Sequence, residues 1–233
     1  MLGVRRWLFD VFNFAMKGLF ITFEGSEGSG KSTQASLLAG RLYGLGRIVR
    51  VLREPGGTPI GEEIRRTLKH SPDNEAMTSE TELLLMNASR AQLVREFIRP
   101  ALAKGEIVIC DRFYDSTTAY QGYGRQLDFA SVKTIIDFAV GETRPDLTLF
   151  LVVPLAISDE RLRSRQSTLP FIRDRIEEAD RAFFGRVALG YEAIAAAEPS
   201  RFRRIDSTGS VEAVRQVVWR HVEELLKRAG AAA

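Results

Sequence analysis

The chain has 233 residues, of which 45% are hydrophobic and 27% are charged, and its formal net charge is +3. This is the composition of an ordinary globular protein, long enough for one α/β domain with a substantial core. The lone cysteine, Cys110, excludes an intramolecular disulfide, and two histidines far apart in the chain argue against a zinc site or a cysteine–histidine dyad. No apolar run reaches the ~20 residues that a membrane-spanning helix needs, so we expect a cytoplasmic protein.

Residues 1–17 form an N-terminal extension for which two interpretations stay open. Charged and polar residues recur there at helical spacing among apolar ones, as in an amphipathic helix that docks on a membrane surface or a partner. The favoured alternative is that translation starts at Met16. A signal peptide fits poorly, because Asp10 and Asn13 interrupt the apolar region.

The rest of the chain alternates between apolar, β-branched runs of strand length and segments with helical periodicity. The predicted strands are Leu19–Phe23, Ile48–Leu52, Ile107–Cys110, Leu147–Val153 and Phe202–Ile205. The predicted helices are Ser32–Tyr43, Ile60–Lys69, Thr78–Ala103, Phe129–Val140, Ile157–Arg165, Ala179–Ala197 and Val211–Arg228. This alternation predicts an α/β fold in which helices flank a five-stranded parallel sheet on both faces. We expect one domain over residues 18–228 and a frayed tail at 229–233.

A glycine-rich turn connects the first predicted strand to the first predicted helix. It follows the G-x-x-x-x-G-K-S pattern of phosphate-binding loops, with the residues Gly25, Ser26, Glu27, Gly28, Ser29, Gly30, Lys31, Ser32 and then Thr33. In such a loop, backbone N–H groups surround the β-phosphate of a nucleotide, the lysine reaches the β- and γ-phosphate oxygens, and the serine hydroxyl is a ligand for Mg²⁺. The helix N-terminus adds to the attraction for phosphate. We therefore predict a nucleotide-phosphate site here.

Charged side chains directly follow two other predicted strands. Asp111 and Arg112 come after the third strand, and Arg53 comes after the second. Because ligands bind at the carboxyl ends of parallel strands, we expect these side chains beside the phosphate loop. There Asp111 can hold Mg²⁺ and each arginine can bind a phosphate, while a structural ion pair is the alternative for Asp111 and Arg112. Basic groups that face a bound nucleotide imply a second anionic ligand, which favours phosphoryl transfer over hydrolysis.

An arginine-rich segment follows the fourth predicted strand, and it favours local phosphate binding over general nucleic-acid binding. Arg161 and Arg163 fit a solvated helix face as well as they fit a functional role. The next three arginines surround an irregular stretch, which favours a mobile lid near residues 161–178. Closure of such a lid would bring guanidinium groups onto the transferring phosphoryl group and expel water. The predicted catalytic residues are Lys31, Arg112, Arg165, Arg173 and Arg175.

Together these segments resemble the bacterial thymidylate kinase family from Lys17 to about Leu226. The phosphate loop alone is unspecific, whereas the combination of motifs is specific. The motifs are Phe23-Glu24-Gly25, Arg53-Glu54-Pro55-Gly56-Gly57-Thr58-Pro59, Asp111-Arg112-Phe113, Ala119-Tyr120-Gln121-Gly122 and Asp174-Arg175-Ile176-Glu177. The resemblance implies a P-loop kinase fold with an arginine-bearing lid. It also implies ATP-dependent phosphorylation of dTMP to dTDP with Mg²⁺.

Carried over to this chain, the resemblance implies a dTMP pocket. Arg53 and Arg112 would hold the dTMP phosphate, and Glu27 would face the sugar 3′-hydroxyl. Tyr120 would crowd the 2′ position and so favour deoxyribose. The base pocket would be lined by Met86, Ser116 and Gln121, with Arg90 in contact with the thymine edge. Family members whose phosphate loop has no basic residue besides its lysine carry their catalytic arginines on the lid, and this loop has only Lys31.

Met86 departs from the family pattern, which has a phenylalanine there that stacks on thymine. A thioether can cover a base but adapts more than a ring, so a kinase for another nucleoside monophosphate stays an alternative. A P-loop nucleotide switch is a less favoured alternative, because a switch does not require arginines that face an acceptor. The resemblance further implies a homodimer. We expect no nucleic-acid partner, and no membrane partner unless the N-terminal extension docks.

Overall fold

The computed structural model describes residues 18–166 and 180–230, without the side chains of Leu162, Arg165 and Gln166. Within these ranges, five parallel strands form one sheet in the order β2-β3-β1-β4-β5. The strands are β1 (Leu19–Glu24), β2 (Val49–Arg53), β3 (Ile107–Asp111), β4 (Leu147–Val152) and β5 (Phe202–Asp206). The predicted five-stranded parallel sheet is thereby confirmed.

Helices connect the strands. The helices are α1 (Lys31–Gly44), α2 (Pro59–His70), α3 (Ser79–Leu93), α4 (Arg99–Ala103), α5 (Tyr114–Thr117), α6 (Phe129–Val140), α7 (Leu155–Gln166), α8 (Arg181–Ala197) and α9 (Val211–Arg228). A 3₁₀ turn spans Asn74–Ala76. Five of the helices, α2, α3, α6, α8 and α9, begin at a polar side-chain cap. At the start of α2, the Thr58 hydroxyl accepts the N–H of Gly61 at 2.8 Å, and Pro59 supplies a φ already suited to the first turn.

The sheet is buried on both faces, which explains its nearly continuous apolar strands. On one face α1 and α9 pack against β1, β3 and β4, with Leu42 and Val222 fully buried. On the other face α3 and α6 cover Phe20 and Val108. A third cluster lies around α8, where Tyr191 stacks on Phe150 of β4 with ring centroids 4.8 Å apart. These layers fix the carboxyl ends of β1, β2 and β3 side by side.

Two segments differ from the sequence expectations. The helix predicted over 78–103 contains a π-helical stretch, Val94–Ile98, between α3 and α4. Pro100 explains the change, because it lacks an N–H and its ring would collide with the carbonyl four residues earlier in a regular helix. The sequence predicted no helix after Arg112, yet α5 continues into a second π-helical segment, Thr118–Gly124. That segment packs against α8, and a Cβ at Gly124 would lie 2.6 Å from the Phe183 ring.

Several expectations fall outside the described residues. They are the N-terminal extension at 1–17, the middle of the predicted lid with Arg173 and Arg175, the side chain of Arg165, and the last residues of the predicted tail. Among the described helices, none has the length and apolar character to cross a membrane.

Candidate active site

The phosphate loop follows β1 in a conformation that requires glycine. Gly25 has a φ of 135°, and a Cβ there would lie 2.3 Å from the carbonyl oxygen of Leu151. Gly30 has a φ of 94° at the N-cap of α1, and no side chain of the described residues caps this helix. The first N–H groups of α1 are therefore available to a ligand rather than to a capping side chain.

Lys31 lies across this loop and is only 6% exposed. Its Nζ donates to the carbonyl oxygens of Gly25 at 3.1 Å and Ser26 at 2.7 Å. Burial, together with repulsion from Arg112, lowers the pKa of Lys31 below its usual value, although Glu27 and other carboxylates oppose the shift. A phosphate placed here would counter this burial cost, so the lysine is suited to bind an anion.

A hydroxyl and a carboxylate meet beside the loop. Ser32 Oγ, in the first turn of α1, donates to Asp111 Oδ2 at the end of β3 over 2.6 Å. Hard oxygen donors of this kind fit Mg²⁺, which binds proteins through one or two such groups and fills its remaining positions with water and phosphate oxygens. The two predicted metal ligands therefore lie together, and their chemistry is compatible with the ion.

Arg112 is the centre of the site. Its φ of +69° is rare for a residue with a side chain and costs on the order of 1–3 kcal/mol. Its Nη2 donates to Glu27 Oε1 at 2.7 Å and to Tyr120 Oη at 3.2 Å. Its Nη1 donates to Ser116 Oγ at 3.1 Å and Tyr191 Oη at 3.3 Å. The strained backbone and four side chains thus aim one guanidinium at the edge of the phosphate loop.

Glu27 carries a negative charge toward this guanidinium. Burial opposes that charge, but Arg112, Lys31 and Lys69 outweigh the burial and hold the pKa of Glu27 well below its usual value. The carboxylate is therefore ionised at neutral pH and can accept a hydrogen bond from a hydroxyl.

Two adjoining clefts open around Arg112. The larger one runs from the phosphate loop past Arg161 to Ser207, Gly209 and Val211. The narrower pocket lies between α3, the Thr118–Gly124 segment and α8. Four residues line both clefts, namely Glu27, Glu54, Lys69 and Arg112. Two ligands, one bound in each cleft, would therefore come into contact beside these four residues.

The predicted residues divide between the two clefts. Those that line the narrower pocket are Glu27, Met86, Arg90, Arg112, Ser116, Tyr120 and Gln121. Those that line the larger cleft are Glu27, Gly28, Gly30, Lys31, Ser32, Thr33, Arg53, Asp111 and Arg112. Gly25, Ser26 and Ser29 lie in the loop itself; the first two accept from Lys31, and the Ser29 carbonyl accepts from Ser207 Oγ at 2.7 Å. Arg53 also pairs with Glu62 at 3.0 Å.

Arg90 is built into the wall of the narrower pocket and is only 2% exposed. Its five N–H donors face acceptors on Glu54, Asn87, Thr117 and the Phe113 carbonyl. In this arrangement the guanidinium braces α3 against the second strand and α5. Its contact with a thymine edge stays a prediction.

The residues around the site to which sequence reasoning assigned no role include Glu24, Glu54, Lys69, Phe184 and Tyr191. Glu24 belongs to a motif that was recognised, and its place directly before the phosphate loop is the signal that could have singled it out. Lys69 lies one residue before the end of α2, a helix with several other charged residues, so nothing local distinguishes it. Tyr191 reaches Arg112 from 79 positions away, a contact that only the fold creates.

The chain is similar to known proteins in both sequence and fold. The family model described as thymidylate kinase matches residues 23–218. The chain belongs to the thymidylate kinase family. The thymidylate kinase of Alcanivorax borkumensis is 48% identical over 90% of this chain and 98% of its own length. That of Thermomicrobium roseum is 46% identical over 90% and 96%, respectively. A crystal structure of thymidylate kinase from Ehrlichia chaffeensis has a TM-score of 0.70 and 34% identity, covering 88% of this chain and 98% of that one.

Family membership confirms the expected P-loop kinase fold and the expected class of enzyme. The chain is a nucleotide-binding phosphotransferase that uses ATP. The α/β sheet and the phosphate loop at the end of β1 are the parts of the structure that are typical of this class of enzyme.

Proposed function

We propose that the larger cleft holds ATP and the narrower pocket holds dTMP, so that the γ-phosphoryl group passes between them beside Arg112. The reaction is the ATP-dependent phosphorylation of dTMP to dTDP, the activity of the thymidylate kinase family. The observation that carries this placement is that both clefts share Glu27, Glu54, Lys69 and Arg112. Two nucleotides bound there would meet at their phosphates, as in-line transfer requires.

In this proposal the protein acts by positioning and by neutralising charge. Lys31 and the N–H groups of the loop bind the ATP phosphates, while Arg112 and Arg53 hold the acceptor phosphate. Negative charge spreads over the equatorial oxygens during transfer, and guanidinium groups stabilise it. The lid arginines are assigned this task, namely Arg165, Arg173 and Arg175. No general base is needed, because the acceptor phosphate is already an anion.

We also propose that the reaction uses Mg²⁺ held by Ser32 and Asp111. Their oxygen atoms lie 2.6 Å from each other at the mouth of the larger cleft. The ion would neutralise charge on the β- and γ-phosphate oxygens.

The narrower pocket fits the roles that family resemblance gave its residues. Glu27 is an ionised acceptor for the 3′-hydroxyl, and Tyr120 is buried against the Arg112 guanidinium, where it would meet the 2′ position. Gln121 is held by the buried carboxylate of Glu82 at 2.7 Å, which fixes its amide beside the base. Met86 and Phe184 form an apolar surface for the base to cover.

The test is ADP production with ATP and Mg²⁺, comparing dTMP with dUMP, UMP, dCMP, dGMP and no acceptor. We expect a strong preference for dTMP, with Met86 in place of the aromatic ring. A preference for another monophosphate would keep the reaction and change the substrate. ATP turnover that no acceptor stimulates would favour the nucleotide switch.

We further propose a homodimer formed through α3 and α6. Arg95, in the π-helical stretch that follows α3, joins the two helices, because its guanidinium donates to the carbonyl of Ala91 in α3 and to those of Phe138 and Ala139 in α6. Phe138 of α6 is 81% exposed, and Leu84 of α3 and Phe97 of the π-helical stretch are also exposed. Large apolar side chains exposed on neighbouring elements are typical of an oligomer interface. Light scattering after gel filtration should give twice the chain mass, and the Phe138→Asp variant should be monomeric; a monomeric wild type would contradict the proposal.

The remaining expectations on location and organisation are also proposals. We place the enzyme in the cytoplasm, where ATP is abundant. We infer one catalytic domain over residues 18–228, with a lid near 161–178 that closes on both nucleotides.

A further inference from the structure

Glu24 is a buried carboxylate at the junction between β1 and the phosphate loop. Its side chain is completely shielded from solvent, and both of its oxygens are hydrogen-bonded. Oε1 accepts the backbone N–H groups of Phe113 at 2.8 Å and Ser116 at 3.3 Å. Oε2 accepts from Ser116 Oγ at 2.6 Å and Tyr191 Oη at 2.9 Å. One carboxylate therefore accepts hydrogen bonds from four donors on three residues, which lie in two distant parts of the chain.

The same donors surround Arg112. Phe113 is its immediate neighbour, and the hydroxyls of Ser116 and Tyr191 lie 3.1 and 3.3 Å from Arg112 Nη1. A hydroxyl has a single proton, so when it donates to Glu24 it turns its lone pairs outward and accepts from the guanidinium. The carboxylate thus orients both acceptors that hold one side of Arg112.

The backbone of Arg112 also depends on this contact. Its φ is +69°, and the peptide N–H groups on both sides of its α-carbon are hydrogen-bonded. The Arg112 N–H donates to the Phe23 carbonyl at 2.9 Å, and the Phe113 N–H donates to Glu24. A strained conformation persists only where the surroundings over-determine it. Glu24 provides one of the contacts that hold this conformation, although it is not among the residues that line either cleft.

We propose that Glu24 is a positioning residue for the acceptor: it fixes the turn and the two hydroxyls that aim the Arg112 guanidinium into the narrower pocket. This inference rests on the proposed function, since that function assigns dTMP to this pocket. Glu24 touches no substrate and acts through Arg112. Because it lies at the end of the strand that enters the phosphate loop, it also ties the acceptor site to the donor site.

The test compares Glu24→Gln with wild type in steady-state kinetics, since the amide keeps the shape but loses the charge and two acceptor positions. We expect kcat/KM for dTMP to fall about 10- to 100-fold, with KM for ATP within about threefold of wild type. The matched control is Glu106→Gln, a carboxylate only 6% exposed that pairs with Arg50 at the opposite end of β3. Glu106→Gln should leave both kcat/KM for dTMP and KM for ATP unchanged.

A double-mutant cycle separates positioning from a general loss of structure. If Glu24 acts through Arg112, then Glu24→Gln should cost little more once Arg112→Ala is present. Additive losses, unchanged dTMP kinetics, or equal losses toward ATP and dTMP would each overturn the inference.

Should Glu24→Gln fail to fold, Tyr191→Phe removes one of the two shared hydroxyls and should still raise KM for dTMP several-fold; an unchanged KM would then overturn the inference. Wild type that does not use dTMP would instead refute the proposed function.

Discussion

At the scale of single residues, the environment of Lys31 explains why the site favours anions. The ammonium is buried and donates to two loop carbonyls, yet burial and Arg112 disfavour its charge. A phosphate therefore binds to a group that is already partly stripped of water, where electrostatic attraction is strongest.

We expect Lys31→Ala to lower kcat by about 10²- to 10³-fold, since the lysine neutralises charge that grows in the transition state. The fold should persist, because the substitution removes a buried charge rather than a packed apolar side chain. Turnover and the thermal unfolding midpoint are to be measured together. Lys104→Ala is the control, as Lys104 is exposed after α4. Near-normal turnover in Lys31→Ala would contradict the assignment of the phosphate loop.

At the scale of elements, α7 is fastened to the phosphate loop. Ser158 Oγ donates to the Glu27 carbonyl at 2.5 Å, and Arg161 donates to the carbonyls of Gly28 at 3.3 Å and Ser207 at 2.9 Å. Arg161 therefore does not lie on a solvated helix face; it joins α7, the loop and the segment between β5 and α9. Any motion of a lid that begins on α7 would be transmitted to the loop through these bonds.

We predict that Arg161→Ala raises KM for ATP several-fold, because the larger cleft loses the contact that joins its two sides. The dTMP affinity should change less, since Arg161 does not line the narrower pocket. Arg163→Ala on the same helix is the matched control, and its exposed side chain should be dispensable. Equal effects of the two substitutions on KM for ATP would show that the contacts of Arg161 with the loop are unimportant.

The elements also show what a sequence can reveal. The strands and the phosphate loop are local patterns, so they were predicted within a residue or two. The helical segment after Arg112 was missed because its glycines and hydroxyl residues resemble a loop, and packing against α8 makes it helical. Contacts such as Glu24 with Tyr191 join residues 167 positions apart, and no local pattern encodes them. The resemblance to a family could name pocket residues, but not what holds them.

At the scale of the whole molecule, buried carboxyl groups couple stability to pH. Burial, with the negative charge of Asp115 beside it, raises the pKa of Glu24 from 4.5 to about 7 in the folded protein, although Arg112 and donors such as Ser116 oppose the shift. Between about pH 4.5 and 7 the folded protein therefore binds more protons than the unfolded chain. The free energy of unfolding must then fall as pH rises through this window. Burial raises the pKa of Glu54 in the same direction.

The contribution of Glu24 can be isolated by comparing urea denaturation of wild type and Glu24→Gln at pH 5, 6 and 7.5. We expect the variant to lose less stability than wild type over this range, by on the order of 2 kcal/mol, because glutamine does not titrate. The readout is the difference between the two proteins, because His221 also titrates in both of them. Burial lowers the pKa of His221, so its contribution to the free energy of unfolding increases as pH rises. Parallel curves for the two proteins would mean that Glu24 is ionised throughout, held so by Arg112 and its four hydrogen-bond donors.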